Sequence, residues 1–103
     1  MKYGFHPEAR LEYREAAVFY EARQPGLGAT FTREIETAID RILEAPDLFR
    51  LVEQDVRRCL AHTFPYGVLY TVEREFILIV AVAHGSRKPD YWHKRLSRGC
   101  PNA

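Results

Sequence analysis

Two groups of residues in the second half of the chain are suited to chemistry. Arg57 and Arg58 are adjacent in a strand-like segment, so their side chains leave on opposite faces. Arginine grips phosphate or carboxylate through a planar fork of donors. The second group is His84-Gly85-Ser86-Arg87-Lys88-Pro89-Asp90-Tyr91-Trp92-His93, directly after a strongly apolar strand. A glycine, a hydroxyl and two cations there suit an oxyanion cradle. Tyr91 and Trp92 add stacking surface, and His93 adds proton transfer. Both groups also suit structural work, since charges on an edge strand discourage further pairing and aromatic residues fold back to cap a core.

Other chemistries lack their residues. His6, His62, His84 and His93, with Cys59 and Cys100, show no zinc-ligand spacing. Ser86 and Ser97 lack the GxSxG turn of a nucleophile elbow. No glycine-rich nucleotide loop occurs. No metal and no cofactor is expected, and the two cysteines are expected to be reduced thiols rather than a disulfide framework.

The elements that must position these residues follow from punctuation and periodicity. Tyr3 to His6 is a short extended segment, and Pro7 suits the first turn of a helix. A helix is predicted over residues 7 to 24. Ala9, Tyr13, Ala16, Ala17 and Tyr20 form its apolar face, and Glu8, Glu12, Glu15 and Glu21 face elsewhere. Gln24-Pro25-Gly26-Leu27-Gly28 is a tight connection. The second helix carries Phe31, Ile35, Ala38, Ile39, Ile42 and Leu43 on one stripe and stops before Pro46.

Three strands are predicted over 56 to 62, 66 to 73 and 76 to 83, with short breaks that imply antiparallel neighbours. Phe76 to Ala83 is apolar on both faces and belongs in the middle of a sheet covered on one side by helices and partly on the other. A short tail element is expected around Tyr91 to Leu96. The predicted class is α+β, an N-terminal strand and a helical hairpin packed on one face of a small antiparallel sheet.

The chain has 103 residues, room for one domain with one modest core, and the domain is expected to span 1–103 with a loosely ordered tail beyond about residue 96. Its longest apolar run has eight residues, against the roughly 20 of a membrane-spanning helix. The start, Met-Lys-Tyr-Gly-Phe-His-Pro, lacks the apolar region of an export signal, so the cytoplasm is the expected location and no membrane partner is expected. The net charge of +1 conceals an asymmetry. Residues 1 to 53 carry seven Lys/Arg and ten Asp/Glu, whereas residues 54 to 103 carry eight and four. A basic half on a nearly neutral chain points to an anionic partner, either nucleic acid or an acidic protein segment.

From Ala9 to Arg95 the sequence resembles the RelE/ParE superfamily of bacterial toxins, particularly its ParE-like (plasmid stabilisation) branch. The resemblance is carried by Glu15-Ala16-Ala17, Tyr20-Glu21, Gln24-Pro25-Gly26-Leu27-Gly28, and Phe31 with Ile35 and Ile39. It continues through Val56-Arg57-Arg58, Phe64-Pro65-Tyr66, Leu69-Tyr70, Val80 to Arg87, and Tyr91-Trp92 with Arg95. It implies the toxin of a type II toxin-antitoxin pair, a cognate antitoxin, the same fold and a toxin-antitoxin hetero-oligomer. ParE-like members are proposed to block DNA gyrase without nuclease chemistry, whereas RelE-like members cut mRNA in the ribosome.

Metal-free RNA cleavage through the 2′-OH needs a base, an acid and cations around the phosphate. Arg58, Arg87 and His93 would supply them in a ribonuclease. The position after Phe64-Pro65-Tyr66, where RelE-like nucleases tend to carry another arginine, is Gly67 here. The reading favoured is therefore a ParE-like toxin with no catalytic residue, gripping its target or its antitoxin through Arg57, Arg58, Arg87, Lys88, Tyr91 and Trp92. The alternatives are the ribosome-dependent mRNA endonuclease and a remnant that binds antitoxin without toxicity.

Overall fold

The first helix begins where the sequence places proline. His6 is extended (φ −58°, ψ 141°), its Nδ1 accepts from the Glu8 N–H at 3.1 Å, and Pro7 occupies the first helical position. The computed structural model describes residues 1–85 and 91–96. Its elements are β1 (Lys2–Phe5), α1 (Pro7–Arg23), α2 (Leu27–Glu44), β2 (Arg50–Glu53), β3 (Val56–Leu60), β4 (Tyr66–Glu73), β5 (Phe76–His84) and α3 (His93–Leu96). Ser86, Arg87, Lys88 and Cys100 lie outside the described residues.

The helical hairpin is closed by backbone and side chain together. Gly26 takes a left-handed conformation (φ +89°), which glycine adopts without steric penalty. The Glu21 carboxylate accepts from the N–H groups of Gly26, at 3.0 and 3.1 Å, and of Gly28, at 3.0 Å. It thus fills orphan donors at the positive end of α2. Glu21 is therefore the cap of the second helix, a task its place on the polar face of α1 did not signal. At Gly28 the helices come close enough that a Cβ would stand 2.6 Å from the Ala17 carbonyl oxygen.

The five strands form one sheet in the order β1-β5-β4-β3-β2. Strands β2 to β5 are antiparallel neighbours, while β1 pairs parallel with β5, so the sheet is mixed. β1 runs alongside β5 only from Phe76 to Ile79. β2 is an element without a sequence signal of its own. It is four residues long, and its register sets Arg50 directly opposite Arg58.

Two cores result. On the helix side Phe31, Ile35, Ile39 and Ile42 of α2 meet Cys59, Val68, Tyr70, Ile77, Ile79 and Val82. On the other side Val56, Leu69, Val80 and Ala81 are covered by Trp92. Pairing slips by one residue at Val80, since Tyr70 faces Ile79 but Leu69 faces Ala81. This bulge turns the alternation over. Val80 and Ala81 therefore both join the second core, while Val82 returns to the first. Both faces of β5 are covered, by the helices and by Trp92 with its neighbours, which is why Phe76 to Ala83 is apolar on both.

Candidate functional site

Arg57 and Arg58 leave β3 on opposite faces, as strand alternation requires. Arg57 turns to the helix side, where its Nη1 donates to the carbonyls of Asp47 at 3.2 Å and Phe49 at 2.7 Å. It thereby pins the segment between α2 and β2. Arg58 turns to the open face and lines a cleft of about 250 Å³ with Glu53, Gly67, His84, Gly85 and Trp92. The Arg58 stem lies flat across Gly67, where an added Cβ would come within 3.0 Å of Cγ and 3.1 Å of Cδ. The position that would bring a second arginine into a ribonuclease is here the seat of the first. Among the described residues the Arg58 guanidinium has no hydrogen-bond or ion-pair partner.

The C-terminal segment closes one side of this cleft. Trp92 is 2% exposed and forms its floor, and His93 stands at the rim with Nε2 2.7 Å from a Glu53 carboxylate oxygen. Tyr91 is half-buried and donates its hydroxyl to Glu12 Oε2 at 2.8 Å. Of the residues singled out in the sequence, the cleft gathers Arg58, Tyr91 and Trp92, with His93 beside them. Arg57 is directed elsewhere, and Arg87 and Lys88 lie outside the described residues.

Glu12 is the organising residue that periodicity assigned to a polar face. Its carboxylate receives both forks of Arg95, at 2.9 and 2.8 Å, the Tyr91 hydroxyl, and the Val82 N–H at 3.0 Å. Arg95 also donates to the Val80 carbonyl at 3.1 Å, and its guanidinium lies 5.0 Å from the Tyr91 ring centre. Burial works against the Arg95 charge, but the hydrogen bonds and charge of Glu12 outweigh it and raise its pKa further. Arg95 Nε is buried with no partner, so the site is satisfied on two of the three guanidinium nitrogens. No single-residue pattern identifies this network. Glu12 and Arg95 are joined only by the fold.

Cys59 is buried on the helix side, where burial pushes its thiol up against a smaller pull from Arg41. No group of three or more His, Cys, Asp or Glu side chains is gathered to hold a metal ion, and no helix is long and apolar enough to cross a membrane, among the described residues. The cleft is instead an open, arginine-lined surface beside an aromatic plug, and such a surface suits the binding of an anion or of an acidic partner segment.

A family model described as the ParE toxin of the type II toxin-antitoxin system, parDE, matches residues 3–89. The chain belongs to this toxin family. The match to the ParE family takes in the helical hairpin, strands β2 to β5 and Arg58, and stops before Tyr91 and Trp92. Among solved structures the chromosomal ParDE toxin-antitoxin system from P. aeruginosa is similar, at 12% identity and a TM-score of 0.72. The alignment covers 82% of this chain and 95% of that one, and it shows that the two share a fold. No curated protein sequence matches closely enough to count.

Proposed function

We propose that this ParE-family chain arrests growth by binding DNA gyrase, without catalytic chemistry of its own, and that a cognate antitoxin neutralises it in the cytoplasm. The observation that carries the choice against nuclease action is Gly67. The Arg58 stem fills the space above it, so β4 supplies no arginine of its own beside Arg58, at the position where RelE-like nucleases tend to carry one. The target-facing residues on this reading are Arg58 with Arg87 and Lys88, and Tyr91 and Trp92 shape the surface beside Arg58.

The antitoxin is proposed to lie on the helical hairpin and a sheet edge. Leu11, Val18 and Phe19 are exposed along α1 at 50%, 64% and 51%. Beside them a groove floored by Phe5, Tyr13 and Ala17 carries Arg10 and Arg14 at its rim. An amphipathic segment with acidic flanks matches an apolar groove with a basic rim. Expression without antitoxin is expected to stop growth, and the purified chain to inhibit gyrase supercoiling. Intact gyrase activity alongside cleaved ribosome-bound mRNA would replace this reading with the endonuclease. Antitoxin binding with no growth arrest would mark a non-toxic remnant.

A further inference from the structure

We propose that Arg50 and Arg58 together form a binding site for a phosphate group, supplied as a phosphate monoester or as the phosphodiester of a nucleic acid strand. The two residues are direct cross-strand partners in the β2–β3 register, so both side chains rise from the same face of the sheet. Like charges in that arrangement repel, and proteins usually relieve them with a carboxylate. Here neither guanidinium has a hydrogen-bond or ion-pair partner among the described residues. The acid lining the cleft, Glu53, is engaged with His93.

The site is built rather than incidental. Gly67 leaves room for the Arg58 stem to lie along β4, which fixes the direction of its fork into the cleft. Arg57, the neighbouring cation, is withdrawn to the other face by the Asp47 and Phe49 carbonyls. A carboxylate satisfies a single arginine fork with its two oxygens. Two arginines carried at directly opposite positions on one face of adjacent strands call for an anion with more oxygens spread in three dimensions, as in a tetrahedral phosphate. The cleft, at about 250 Å³, is below the usual size of a small-molecule pocket and open to the sheet face, which suits one group of a larger ligand. The proposal does not rest on gyrase as the target.

The test uses the full chain and its single tryptophan, Trp92, which lines the cleft and reports occupancy by its fluorescence. Inorganic phosphate, a short oligothymidylate without a terminal phosphate, and polyglutamate are titrated at fixed ionic strength. Binding of phosphate or of the oligonucleotide is expected, weakened about tenfold by Arg50→Gln and by Arg58→Gln, the loss of one charge-assisted contact. Tighter binding of the oligonucleotide, with a salt slope that falls as each arginine is removed, assigns the phosphodiester; binding of inorganic phosphate alone assigns the monoester. Gly67→Val keeps both charges but displaces the Arg58 stem, and is expected to weaken binding to a similar degree. Unaltered circular dichroism in each variant separates lost binding from lost fold. The proposal is overturned if neither phosphate probe binds, if the double variant binds as well as the parent, or if polyglutamate binds as tightly as either. Gyrase supercoiling measured on the same samples tests the proposed function separately, since inhibition without phosphate binding removes this site alone.

Discussion

Arg95 donates both terminal nitrogens to the two carboxylate oxygens of Glu12, at 2.9 and 2.8 Å, and so ties the segment after β5 to the first helix across 83 residues of sequence. The side chains are 8% and 15% exposed, so the pair is largely shielded from water. Removing one partner of such a pair strands a buried charge, and Arg95→Ala is expected to lower unfolding free energy by about 3 to 5 kcal/mol. Urea denaturation checks the magnitude. Trp92 emission should shift to the red in the same variant, because the tie that holds its segment over the second core is gone.

Gly28→Ala tests the closeness of the hairpin. A methyl group there would stand 2.6 Å from the Ala17 carbonyl oxygen and 2.9 Å from Glu21 Cβ, too short for a real contact. Helix propensity alone favours alanine over glycine by about 1 kcal/mol. Overpacking is expected to win, with a net loss of about 1 to 3 kcal/mol in thermal or chemical unfolding.

Acid sensitivity should map in part to Glu34. Partial burial pushes its carboxyl up, but hydrogen bonds from Thr63 and from the backbone of Phe64 and His62 outweigh this and hold it below the ordinary value of 4.5. A depressed carboxyl stabilises the fold above its unfolded pKa, and the contribution is lost as pH falls through the folded one. Stability should therefore decline below about pH 4.5, and Glu34→Gln should flatten that part of the curve. Melting temperatures of parent and variant from pH 7 to pH 3 provide the comparison.

At alkaline pH the sign reverses for Tyr70. Burial pushes its hydroxyl up to about 12, with Arg57 pulling against it, and the hydroxyl donates to the Pro46 carbonyl at 2.6 Å. The unfolded chain ionises this group near pH 10 while the folded chain does not, so stability should fall as pH rises past 10. Tyr70→Phe should remove that dependence and cost about 1 kcal/mol near neutrality.

Docking on α1 is tested by Val18→Glu and Phe19→Glu. Both residues are more than half exposed, so the fold should persist. Antitoxin affinity should drop at least about tenfold if they are anchors of the interface. Association should also slow at higher salt, since Arg10 and Arg14 rim the groove.

The helical hairpin and strands β3, β4 and β5 were legible in the sequence because each carries its own period or apolar run, and the N-terminal strand and the short tail element were expected from the punctuation around them. Phe31, Ile35, Ile39 and Ile42 recur at helical steps and are fully buried. β2 was not legible, because Arg-Leu-Val-Glu is too short to show alternation and is a strand only by pairing with β3. The parallel placement of β1 is likewise a non-local outcome. Within the site, alternation dictated that Arg57 and Arg58 part ways. Their destinations depended on carbonyls at Asp47 and Phe49 and on the missing side chain at Gly67. Glu12 and Glu21 read as solvated helix charges, since a carboxylate's task is set by what the tertiary fold brings to it.

β1 stops pairing at Ile79, yet β5 continues to His84. Beyond that point the Glu12 carboxylate takes the Val82 N–H and the Arg95 guanidinium takes the Val80 carbonyl. These are the backbone groups that an incoming strand would need. The longest and most apolar strand of the sheet is thereby denied to other copies of the chain, and fibrillation through it must begin by breaking an ion pair.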